Sequence, residues 1–101
     1  MKSEMHEFVR YDRVMMRVVL KFKTSFIGGY HYAGTRRSEI SAIIRKAYFD
    51  EYGERLSVDC SVMDTPYVIK SLSRRGMIKH DNGSWYMTFK GYAWAKEVLR
   101  S

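Results

Sequence analysis

The sequence predicts one mainly helical α+β domain: three helices, a β-hairpin and a C-terminal helix, in that order. Three observations carry the prediction. Apolar residues recur at helical spacing in four separate segments. A single Asn-Gly pair, Asn82-Gly83, interrupts a stretch of alternating residues, as in a hairpin with a two-residue turn. The 101 residues, 46% apolar and 15% aromatic, are enough for one core and one domain spanning 1–101.

The first helix is expected from about Asp12 to Thr24. Val14, Met15, Val18, Val19 and Phe22 repeat on one face, and Asp12 is placed to cap the start. Arg10, Arg13, Arg17 and Lys21 fall opposite, as a solvated stripe. From Ser25 to Gly34 the periodicity breaks. Three glycines end the helix, and the alternating aromatics, Tyr30 and Tyr32 among them, suit a short strand or lid around His31.

A second helix follows from Ile40, Ile43, Ile44, Ala47 and Tyr48, an i, i+3, i+4, i+7, i+8 stripe. Thr35 or Ser38 can cap it, and Gly53 can supply a left-handed end. Glu54–Ser61 is a polar connection longer than a tight turn. The third helix ends at Gly76, with Val68, Ile69 and Leu72 inward. Pro66 must sit in its first turn, which makes Asp64 or Thr65 the cap; a start near Ser61 would turn Pro66 into a bend.

The Asn82-Gly83 turn sets the hairpin register: Asp81 opposite Ser84, His80 opposite Trp85, Lys79 opposite Tyr86, Ile78 opposite Met87. Ile78, His80, Trp85, Met87 and Phe89 then share one face, with Lys79, Tyr86 and Thr88 on the other. Tyr92, Ala95, Val98 and Leu99 describe the last helix, with Thr88 as its cap.

Composition excludes several functions. The single cysteine, Cys60, forms no internal disulfide, which points to a reducing compartment, the cytoplasm. Arg17 and Arg45-Lys46 interrupt the longest apolar clusters, so no membrane span is expected, and the mixed-charge N-terminus is no secretory signal. His6, His31, His80 and Cys60 lack metal-ligand spacing, Gly28-Gly29 is no phosphate loop, and no nucleophile signature is present. No enzyme, metal or cofactor is expected, and no small-molecule effector can be read from the sequence. The basic balance is more informative: 18 Lys+Arg stand against 11 Asp+Glu, and from Arg13 to Lys46 eight basic residues face Glu39 alone. A second acid-free run holds Lys70, Arg74, Arg75 and Lys79. Such fields attract polyanions, above all nucleic acid.

The order of elements, with Leu72 four residues before Gly76, then Met77-Ile78, the Asn82-Gly83 turn, Tyr86-Met87-Thr88, and Gly91 three residues after Thr88, resembles winged helix-turn-helix transcription regulators of bacteria and archaea. The match is closest over Ser71–Leu99. The long Glu54–Ser61 connection and the Gly28–Gly34 insert depart from that pattern.

The resemblance implies that the third helix enters the major groove of double-stranded DNA and that the hairpin, the wing, touches the adjoining backbone. It makes Tyr67, Lys70, Ser71 and Arg74 the base-reading candidates, with Lys79 and Asn82 on the wing. Arg36 and Arg37, just before the second helix, are candidates for phosphate, which the helix amino terminus also favours. Winged helices of this kind commonly act as homodimers; Trp94 and the first helix are candidate subunit contacts. A protein-interaction module and an RNA-binding module remain open alternatives, because a fold does not fix a function.

Overall fold

The computed structural model describes residues 11–24, 34–57, 63–81 and 83–100. Within them lie helices α1 (Asp12–Leu20), α2 (Arg37–Tyr52) and α3 (Thr65–Arg74), an antiparallel hairpin of β1 (Ile78–Asp81) and β2 (Ser84–Met87), and helix α4 (Phe89–Arg100). The expected mainly helical α+β class is what the chain adopts.

The stripes predicted for α1, α2 and α3 build one core. Val14, Met15, Val18, Val19 and Phe22 meet Ile40, Ile44, Ala47 and Tyr48, with Val68, Ile69 and Leu72 beneath. Full burial of such a side chain contributes about 1.5–3 kcal/mol. Met16, off the predicted stripe, is buried too. α1 is enclosed because it packs on α4 and α2 at once. Tyr11, Tyr48 and Tyr52 form an aromatic trio where α1 begins, with Tyr48 and Tyr52 centroids 4.7 Å apart.

Helix ends show where local signals prevail. Asp64 caps α3, its Oδ1 accepting the Tyr67 N–H at 3.1 Å, and Pro66 occupies the first turn as required. At the other end Gly76 is left-handed (φ +77°), the Met77 N–H returns to the Leu72 carbonyl and the Gly76 N–H to that of Ser73. This is a complete Schellman closure, sealed by two buried side chains, Leu72 and Met77. Gly53 ends α2 in the same left-handed region.

Other caps differ from expectation. α1 begins after Tyr11, and Asp12 lies inside its first turn, where its carboxylate accepts from Arg75 instead of capping. α1 also ends at Leu20, not Thr24, because the next residues join the hairpin: the Lys23 carbonyl accepts the Met87 N–H at 2.8 Å, and Thr24 bridges Met87. α2 is capped by neither Thr35 nor Ser38. Arg36 stands at the cap position and the Glu39 carboxylate accepts its N–H. Thr35 is 1% exposed, exchanges two 2.8 Å backbone bonds with Trp85, and its hydroxyl accepts the Lys23 N–H. β2 is therefore hydrogen-bonded along both edges. The expected Ser25–Gly34 strand falls outside the described residues except at Gly34.

The hairpin has the predicted register at all four pairs. Ile78 and Met87 enter the core, while His80 stacks on Trp85 at 4.6 Å nearer the tip. Phe89 does not share their inward face. The strand stops at Met87, Thr88 turns the chain, and Phe89 opens α4 with 69% exposure.

Candidate functional site

The inward stripe of α3 is fully used by the core, so its other face is what the molecule presents. Tyr67, Lys70, Ser71 and Arg74, together with Arg75, line one open depression of about 270 Å³. Their spacing of i, i+3, i+4 and i+7 dictates this convergence. No carboxylate lines the hollow. Lys70 and Arg74 are like charges one turn apart, an arrangement that costs a helix a few tenths of a kcal/mol. Neither has an ion-pair partner among the described residues.

Arg75 is placed differently from its neighbour. Its Nη1 lies 3.3 Å from Asp12 Oδ1 and its guanidinium sits 4.6 Å above the Trp94 ring. It braces α3 against α1 and α4 and is not free to reach outward. Trp94 is thus an internal packing partner.

Arg36 and Arg37 stand exposed at the start of α2. They are not in the α3 hollow. The adjoining Thr35–Trp85 bridge sets them beside the hairpin, which also carries exposed Lys79 opposite Tyr86. The predicted residues therefore form two groups, one on α3 and one around the hairpin and the α2 amino terminus. Asn82 lies outside the described residues, as do His6, Arg10, Tyr30, His31, Tyr32 and Cys60.

Arg13, Arg17 and Lys21 of the α1 stripe remain partly or fully exposed, yet each is held in an ion pair. Arg13 and Arg17 both donate to Glu51, at 3.0 and 2.8 Å, and Lys21 and Lys46 both reach Asp50, at 3.1 and 2.9 Å. These acids lie just past the basic run, at the carboxyl end of α2. Hydrogen bonds from Lys46 and Lys21 hold the Asp50 carboxyl below its ordinary value. Partial burial pushes Glu51 upward, but the bonds from Arg17 and Arg13 outweigh it and hold that carboxyl low as well. Four of the eight clustered cations are spent on this seam. Lys23, Arg36, Arg37 and Arg45 make no ion pair among the described residues, Arg45 bonding instead to Ser41 Oγ at 2.8 Å.

A second acid-free hollow, which the sequence did not reveal, is lined by Arg45, Lys46, Phe49, Arg55 and Leu56. Phe49 is half exposed there. The available signal was its position beside Tyr48 but off the inner stripe. Among the described residues no group of three His, Cys, Asp or Glu side chains could hold a metal ion, and no helix is long and apolar enough to cross a membrane.

Comparison with known proteins found no matching family model, no matching curated protein and no matching solved structure.

Proposed function

We propose that the chain is a winged helix-turn-helix protein that binds double-stranded DNA as a homodimer and regulates transcription through that binding. The observation that carries this reading is the α3 face: Tyr67, Lys70, Ser71 and Arg74 converge in an acid-free hollow. The hairpin that follows α3 directly bears Lys79. Two isolated bridges, one through Lys23 and Thr24 and one through Thr35, cover the outer edge of β2, which suits a wing anchored on its own domain. In this mechanism nothing is catalysed. Arg36, Arg37 and Lys79 neutralise phosphates and fix the register, and α3 supplies sequence preference. With the apolar faces of α1 covered by α2 and α4, the second subunit would dock on the outward side of α4.

Fluorescence anisotropy with duplex DNA over a range of salt tests the reading. The affinity should fall with a log–log slope of about −0.9 for each phosphate neutralised, and Arg36→Ala should make that slope shallower by about one. Arg36→Ala should weaken random and selected duplexes alike, since a phosphate carries no base identity. Failure to bind any duplex at low salt would end the DNA reading. Binding to structured RNA alone would replace it with the RNA alternative.

A further inference from the structure

The side-chain chemistry of α3 limits which bases it can read. From Thr65 to Arg74 the helix contains no Asn, Gln, Asp or Glu. The nearest carboxylate, that of Asp64, already accepts the Tyr67 N–H. Adenine presents an acceptor beside a donor and is matched by a side-chain amide, whereas the cytosine amino group needs a carboxylate or another acceptor. No amide exists on this face, and the Asp64 carboxylate sits at the helix cap, outside the hollow that Tyr67, Lys70, Ser71 and Arg74 line. The hydroxyls of Tyr67 and Ser71 can donate or accept, so they add hydrogen bonds without choosing a base.

What remains is two donors with no acceptor capacity, Lys70 and Arg74. Arg75 is withdrawn by Asp12 and Trp94. Guanine is the base whose major-groove edge offers two acceptors, N7 and O6. Four residues along a helix advance it by about 6 Å, against about 3.4 Å per base step. We propose that the α3 face is a guanine reader, in which Lys70 and Arg74 each engage the N7 and O6 of a guanine and the two guanines lie within about two base steps. This rests on the duplex-binding function above and adds the identity of the bases.

Selection from a pool of random duplexes at fixed salt, followed by anisotropy on the recovered site, tests it. The recovered sequences should share two closely spaced guanines. Arg74→Ala should abolish preference at one and Lys70→Ala at the other, each with about a tenfold loss on the selected site. Replacing either guanine by 7-deazaguanine removes N7 and leaves the protein untouched. It should weaken wild-type binding several-fold and add nothing to the loss in the matching alanine variant. A pool that yields no bound duplex defeats the function itself and this inference with it. A recovered consensus without guanine, or indifference to 7-deazaguanine, overturns the guanine assignment while leaving duplex binding intact.

Discussion

Two glycines that lie on either side of the hairpin are required for different reasons, and substitution should separate them. At Gly91 a Cβ would collide with the Met77 carbonyl oxygen and lie 2.9 Å from its carbon, both backbone atoms. At Gly76 a Cβ would meet nothing nearer than Lys90 Nζ at 3.6 Å, so only the positive φ resists a side chain. Gly76→Ala should therefore cost about 1–2 kcal/mol, and Gly76→Asn less, because asparagine tolerates the left-handed region. Gly91→Ala forces α4 away from Met77 and should cost more than the roughly 1–3 kcal/mol of ordinary overpacking. Urea unfolding of the three variants checks the order. A Gly91→Ala protein as stable as Gly76→Ala would mean that α4 is not seated as described. Between the two glycines, Thr88 Oγ1 lies 2.7 Å from the Gly76 carbonyl, to which it donates, and accepts the Gly91 N–H at 2.9 Å. One hydroxyl thus closes α3 and opens α4.

Among the elements, the α1–α2 seam makes stability respond to acid. Asp50 and Glu51 have carboxyls held below their ordinary values in the folded chain. A depressed carboxyl contributes stability above its unfolded value and loses that contribution as pH falls through the folded one. Stability should thus be level at neutral pH and decline on acidification below the ordinary carboxylate range. Glu51→Gln should lower the neutral plateau and flatten the acid limb, as read by denaturant midpoints across pH. An unchanged acid limb would count against the seam. The seam also shows why some of the fold was legible in the sequence and some was not. The hairpin register, the Asp64 cap and the Gly76 closure depend on residues within nine positions of one another, so the sequence displays them directly. The partners of Arg13 and Arg17 lie 38 and 34 residues away. Thr35 was a plausible cap until a bridge to Trp85 recruited it, and α1 lost its last predicted turn to Met87. The α3 face was legible because its inward stripe is unambiguous; the withdrawal of Arg75 was not, since Asp12 and Trp94 come from opposite ends of the chain.

For the whole molecule, assembly decides how the α3 face would be used. A chain of this length buries only about 60–65% of its unfolded surface, so a second copy has much to add. At micromolar concentration light scattering should report twice the 12.0 kDa chain mass. Phe89→Ser, on the outward side of α4, should shift the protein toward the single chain with its circular dichroism intact. Trp94→Ala should instead lower stability, because the Trp94 ring supports Arg75. A wild type that stays a single chain would restrict it to one half-site.

The joint between α3 and α4 has a mechanical meaning. Thr88 fastens both helix ends, Gly91 presses against Met77, and Arg75 reaches across to the Trp94 ring. These contacts tie the end of α3 to the start of α4. Under the proposed function, a rotation imposed on α4 should reach α3 through these contacts as a tilt of its outward side chains. A second subunit seated on α4, as proposed, would then have leverage over the angle at which α3 meets DNA.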